Sequence, residues 1–158
     1  MSVKVLFVCL GNICRSPTAE GIFQKLVHES GLAKRIQIDS AGTTSWHQGR
    51  SPDPRTIAAA KKRDIDLSVL SARQVKRSDF EDFDYILAMD DSNLSDLKIL
   101  KPEDYSGYLG LFLEFGSQKK YREVPDPYHG GSEGFELVLD LIEDSAAGLL
   151  LSIQKNHL

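Results

Sequence analysis

Two short stretches hold side chains whose types and spacing can do chemistry. The first is Cys9-Leu10-Gly11-Asn12-Ile13-Cys14-Arg15-Ser16, in which an arginine follows a cysteine by six positions. A loop of this kind between a strand and a helix turns successive backbone N–H groups toward an anion, with the positive end of the helix dipole behind them. Leu10, Gly11, Asn12, Ile13, Cys14 and Ser16 are therefore candidates for surrounding a bound phosphate. Arg15 offers a planar fork able to hold two phosphate oxygens at once. A thiol at the same hole is driven toward thiolate by amides, arginine and dipole, and the Ser16 hydroxyl can donate to the sulfur. The segment has one glycine and no lysine, which separates it from a nucleotide P-loop. Its chemistry is that of a nucleophile, Cys9, aimed at phosphorus.

The second stretch is Glu123-Val124-Pro125-Asp126-Pro127-Tyr128-His129-Gly130-Gly131, where two prolines clamp an aspartate in a glycine-ended loop. Phosphoryl transfer to sulfur needs a proton for the departing oxygen, and Asp126 can supply it. Taken singly, Cys9 reads equally as the end of a buried strand and Asp126 as a turn residue. Together, in loops beyond strand ends, they read as one site.

The elements that must position these residues alternate between strand and helix. Val3 to Cys9 is a β-branched apolar run that suits a strand covered on both faces. Ser16-Pro17 reads as a cap and first helical residue, with Ile22, Phe23, Leu26 and Val27 at helical spacing and Gly31 as the stop. Arg35 to Asp39 alternates as a second strand, and Ser40-Ala41-Gly42 reads as a turn. Asp53-Pro54 caps a helix to about Arg63, and Ser78 to Glu81 matches a capping box. Tyr85 to Met89 is the third strand, Asn93 to Leu100 a helix stopped by Pro102, and Leu109 to Phe115 the fourth strand. An apolar face from Phe135 to Ile153 marks a last helix over Ser132 to about Gln154. The pattern predicts an α/β single domain over residues 1–158, a four-stranded parallel sheet with helices on both faces and a phosphate-binding loop between the first strand and first helix. Ligands of such folds sit beyond the C-terminal ends of the strands.

Composition agrees. The 158 residues are 41% hydrophobic and 27% charged, with a net charge of −4. That acidic balance argues against nucleic-acid binding. No apolar stretch approaches the ~20 residues that span a bilayer, and the N-terminus does not read as a signal peptide. Two cysteines, Cys9 and Cys14, are too few for a structural zinc site and suit a reducing cytoplasm. His28, His157 and the Lys61-Lys62-Arg63 run read as solvated helix positions, and Met89 as packing.

Over almost its whole length, roughly Val3 to Leu151, the chain resembles a low-molecular-weight protein tyrosine phosphatase. The motifs are V-C-L-G-N-I-C-R-S-P at Val8 to Pro17, D-S-A-G at Asp39 to Gly42 and S-P-D-P-R at Ser51 to Arg55. They continue with A-R-Q at Ala72 to Gln74, F-D-Y-I-L-A-M-D at Phe83 to Asp90 and D-P-Y at Asp126 to Tyr128. The resemblance implies Cys9 as nucleophile, Arg15 as phosphate clamp and Asp126 as general acid and then base. It also implies a loop-supporting network of Asn12, Ser16 and Ser40. Trp46, or its neighbour His47, and Tyr128 would wall the cleft around a phenyl ring. The expected substrates are phosphotyrosine-containing proteins, the product inorganic phosphate, and the enzyme a cytoplasmic monomer. No cofactor or metal is expected, since Arg15 and the loop amides bring the positive charge. Two departures stand out: His129 follows the D-P-Y tyrosine where many relatives have a second aromatic, and Leu70 replaces a histidine that some pair with the position of Asp90.

Rival readings have specific requirements. Thiol-dependent arsenate reduction needs two further relay cysteines, and this chain has only Cys14 beyond Cys9. A non-catalytic phosphotyrosine-binding module, or a phosphocysteine carrier, has no use for an acid such as Asp126. Cys14 itself reads two ways. It packs under the loop as a small apolar residue, or it closes a disulfide with an oxidised Cys9 and shields it, as the resemblance also suggests.

Overall fold

A computed structural model describes residues 2–128 and 130–158, so the departure at His129 lies outside the described residues. Strand β1 (Val3–Cys9) leads through helix α1 (Arg15–Glu29) to β2 (Ile36–Gly42). Helices α2 (Pro54–Lys61) and α3 (Asp79–Asp82) precede β3 (Tyr85–Ala88); α4 (Asp91–Leu100) precedes β4 (Tyr108–Leu111). A 3-10 turn (Phe112–Phe115) and α5 (Ser132–His157) complete the chain. All four strands are parallel, in the order β2-β1-β3-β4.

β1 lies inside the sheet, with Val8 opposite Ala41 on one side and Ala88 on the other. Its alternation feeds two cores. Val5, Phe7 and Cys9 enter the larger one, with α1, α2 and α5, and Leu6 and Val8 the smaller one, with α3 and α4. The Phe7 ring meets Phe23 and Phe112 edge-on at 5.8 and 4.9 Å. The chain leaves β1 for β2 on one side and then crosses back past β1 to β3 on the other, so a crevice opens beyond the C-terminal end of β1. Cys9 is the last residue of that strand.

Several boundaries differ from the sequence reading, each for a tertiary reason. Ser40-Ala41-Gly42 is strand rather than turn, because β1 pairs with β2 as far as Cys9 opposite Gly42. A Cβ at Gly42 would stand 2.8 Å from the Leu10 carbonyl oxygen, so only glycine lets the cysteine loop pass. β4 ends at Leu111, and Phe112 to Phe115 coil so that Phe112 and Leu113 reach the core against α5. The coil fits because Gly148 of α5 has no Cβ to strike the Phe115 carbonyl. α1 begins at Arg15 with Cys14 at its cap, and Ser16 spends its hydroxyl on the site instead of capping. Ser78 makes no side-chain cap; Asp79 instead accepts from the Lys76 N–H and from Arg73. Asp90 caps α4, starting it at Asp91. Arg63 is no solvated helix end: it pairs with Glu136, Asp140 and Glu143 of α5. α5 runs on to His157, whose ring nitrogen lies 2.9 Å from the Tyr85 hydroxyl. The Asp53 cap of α2 and buried Met89 agree with the sequence reading.

Candidate active site

Asn12 organises the cysteine loop. Its φ of 58° is in the left-handed region that asparagine tolerates, and its N–H points at Cys9 Sγ, 3.3 Å away. Its side-chain orientation follows from its partners. Oδ1 accepts from the Arg73 N–H at 3.1 Å, while Nδ2 donates to Ser16 Oγ at 2.7 Å and Ser40 Oγ at 2.9 Å. With Asn12 donating to Ser16, the Ser16 hydroxyl proton must go elsewhere. Sγ of Cys9 lies at 3.0 Å and the Ala41 carbonyl at 3.4 Å, so the sulfur is the nearer acceptor. Two donors thus converge on the nucleophile, the arrangement that stabilises negative charge on sulfur.

The network ends on a buried carboxyl. Ser40 Oγ donates to Glu20 Oε1 at 2.6 Å, and Glu20 is 6% exposed. Burial raises its pKa to about 7, with Asp39 pushing the same way and Ser40 and Arg73 opposing.

Arg15 is held from two other elements. Its Nη1 donates to Asp90 Oδ2 at 2.6 Å and to the Val124 carbonyl at 3.1 Å, and Nη2 stands 3.7 Å from Asp126 Oδ2. Burial works against its charge, but the fields of Cys9, Asp90 and Asp126 outweigh that and raise its pKa. Asp90 serves twice, since its other oxygen caps α4. Leu70, in place of the histidine some relatives have, packs partly buried against the core.

Cys9, Arg15 and Asp126 line one cavity of about 190 Å³, together with Leu10, Gly11, Ile13, Cys14, Trp46, His47 and Tyr128. The thiol is deep, with Cys9 3% exposed, while Trp46 is 71% exposed at the mouth. Asn12, Ser16 and Ser40 are buried behind the loop rather than on the cavity wall. Both cysteines are free thiols, and burial pushes the Cys14 thiol up to about 12. Among the described residues, no three His, Cys, Asp or Glu are grouped to hold a metal.

Sequence reasoning missed Glu20, Arg73 and the role of Asp90. Glu20 had a signal: it lies four residues after Ser16 and three before Phe23, on the buried stripe of α1. Asp90 stands just past β3, where site residues of such sheets collect. Arg73 stood in the A-R-Q motif but with no role assigned, because its contacts with Asn12, Asp39 and Asp79 depend on how the chain between α2 and α3 crosses the end of β2.

The geometry has counterparts among known proteins. The profile of the family described as low molecular weight phosphotyrosine protein phosphatase matches residues 4–158. A low molecular weight phosphotyrosine protein phosphatase of Schizosaccharomyces pombe is 46% identical over 96% of this chain and 97% of its own. The low molecular weight protein-tyrosine-phosphatase YfkJ of Bacillus subtilis is 42% identical, covering 97% of each chain. The crystal structure of a protein tyrosine phosphatase from Entamoeba histolytica, with Hepes in the active site, superposes with a TM-score of 0.95 at 41% identity. It covers 99% of this chain and 100% of that one.

Proposed function

This chain belongs to the low molecular weight phosphotyrosine protein phosphatase family and hydrolyses phosphotyrosine, and we propose that it does so through a phosphocysteine on Cys9. In the first step Sγ attacks phosphorus as the P–O bond to the aryl group breaks. Asp126, protonated, gives its proton to the departing phenolic oxygen. In the second step water attacks phosphorus, Asp126 takes its proton, the S–P bond breaks and inorganic phosphate leaves. Arg15 and the loop amides spread the charge of the phosphoryl oxygens in both steps. Ser16 and the Asn12 N–H stabilise sulfur as the leaving group of the second. One observation carries the reading: a deep thiol, a buried arginine and a carboxyl brought from the far end of the sequence share one cavity.

The depth of Cys9 below Trp46 and Tyr128 favours a phenyl phosphate over the shorter phosphoserine. The partners are then phosphotyrosine-containing proteins. Residues 1–158 act as one domain and a monomer suffices, since every group in the mechanism comes from one chain. The acidic net charge of −4 favours no nucleic-acid partner. Among the described residues, no helix is long and apolar enough to cross a membrane. A nucleophile that must stay reduced supports a cytoplasmic setting. Cys14, on the wall of the same cavity, is the proposed redox partner of Cys9. Its raised pKa makes it slow to attack while the loop keeps this shape. Arsenate reduction and simple phosphotyrosine binding are not favoured: the first lacks relay cysteines, the second leaves Asp126 without work.

Rapid acid quenching of turnover with a labelled aryl phosphate tests the mechanism. Label is expected on Cys9 in the wild type and on nothing in Cys9→Ser, which should also be inactive. Turnover by a purified Cys9→Ser sample would remove the covalent route.

A further inference from the structure

The S-P-D-P-R stretch takes no part in the chemistry above, yet its arginine reaches the acid's loop. Arg55 lies in the first turn of α2. Its Nε and Nη2 grip Asp53 at 3.1 and 3.0 Å, and Nη2 also donates to the Tyr128 carbonyl at 2.7 Å. The guanidinium stands 5.5 Å from the Tyr128 ring centre and 5.1 Å from that of Phe135 on α5, within cation–π range of both.

Both ends of this grip connect to the site. The Asp53 N–H donates to the Ile13 carbonyl at 2.9 Å, tying Asp53 to the cysteine loop. At the other end, the Tyr128 N–H donates to Asp126 Oδ1 at 3.1 Å, which leaves Oδ2 on the Arg15 side. A continuous path therefore runs from Ile13 through Asp53, Arg55 and the Tyr128 backbone, entering at its carbonyl and leaving at its N–H, to the carboxyl of Asp126. We propose that Arg55 is a positioning residue for the general acid, a strut that sets the placement of Asp126 and the Tyr128 wall relative to the cysteine loop. The inference rests on Asp126 being the general acid.

Asp53 is suited to anchor the strut. The bond from Arg55 holds its carboxyl below the usual range, and as the α2 cap it also accepts the Arg55 N–H at 2.8 Å. Lysine in place of Arg55 would keep the charge but lose the fork that reaches Asp53 and Tyr128 together.

The test measures kcat for aryl phosphates with leaving phenols from weakly to strongly acidic, on Arg55→Ala, Arg55→Lys, Asp126→Asn and Arg55→Ala with Asp126→Asn. Displacing the acid by about 1 Å should cost Arg55→Ala roughly 10- to 100-fold with phosphotyrosine. The loss should fall to about threefold or less with a leaving group that hardly needs a proton. Arg55→Lys should lie between, and reads the same way should the alanine variant fail to fold. In the Asp126→Asn background, Arg55→Ala should cost nearly nothing more, since the acid it places is gone. Competitive inhibition by inorganic phosphate should not change, because the phosphate cradle is built elsewhere. A loss uniform across leaving groups, or fully additive with Asp126→Asn, would overturn the strut. Should Asp126→Asn itself show no leaving-group dependence, the acid assignment fails first, and that outcome is distinct from a failure of Arg55 alone.

Discussion

In the cysteine loop Asn12 is 2%, Arg15 3% and Ser16 0% exposed, and each of these side chains is hydrogen-bonded. In the acid's segment the Asp126 side chain is 44% exposed and Tyr128 is 39% exposed. The first is a cradle for developing charge, whose dipoles must already point the right way when the reaction begins. The second must admit a phosphorylated side chain and meet its leaving oxygen, so it stays at the surface and is steadied by two arginines. Arg15 approaches Asp126 from inside, and Arg55 holds Tyr128 from outside. One site thus joins a rigid, buried half to an open, braced half.

The largest effect that separates the halves is expected from Asp126→Asn. Loss of a positioned acid should lower phosphotyrosine turnover on the order of 10²–10⁴-fold. Phosphate binding to the cradle should be nearly unchanged, measured as competitive inhibition. A matching loss of phosphate affinity would show that the two halves are not separable.

A second prediction concerns the hidden end of the cradle network. The Glu20 carboxyl, with an ordinary pKa of 4.5, is raised to about 7 in the folded chain. Between those values the folded protein holds a proton that the unfolded chain has released. Its contribution to stability is therefore complete below pH 4.5 and lost as the pH rises through 7. At about 1.4 kcal/mol per pH unit, the change is on the order of 3 kcal/mol. Glu20→Gln has no such titration. Urea unfolding of both proteins at pH 4.5 and pH 8 should show the variant gaining on the wild type by that order as pH rises. A gap that does not move with pH would mean Glu20 titrates as an ordinary surface carboxyl.

The smallest effect is expected at the open mouth. Stacking by an exposed ring is worth about 0.5–1.5 kcal/mol, so Trp46→Ala should raise KM for phosphotyrosine several-fold and leave kcat nearly intact. Unchanged discrimination between phosphotyrosine and phosphoserine would remove Trp46 from the substrate wall.

The two halves were also unequally legible. Cys9, Arg15 and the strand, loop and helix that carry them are contiguous, so the spacing together with its place at a strand end indicated the anion hole and its nucleophile. Asp126 stood out by its flanking prolines, but nothing local said that it would face Arg15. The capping expectations at Ser16 and Ser78 failed because other contacts took over at each helix start. Cys9 and Asn12 engage Ser16, while at the start of α3 it is Asp79 that is held, by the Lys76 N–H and by Arg73, which also pairs with Asp39.

By itself the sequence determined the alternation of strands and helices, the parallel α/β fold, the cysteine loop and the family of the chain. Those features depend on residue periodicity, backbone preference and motifs read within short windows. Only the tertiary structure decided the partners that make the loop work. Arg15 meets Asp90 75 positions away and the Val124 carbonyl 109 away, and Ser40 meets Glu20 across the gap between β2 and α1. Such pairings follow from strand order and register, which place the C-terminal ends of β1, β2 and β3 side by side. Arg55 shows the same limit, since its motif was visible but the Tyr128 carbonyl it holds lies 73 residues further on. A hydrogen bond needs its two atoms within about 3 Å, and no local pattern in a chain encodes which distant residue the fold will bring there.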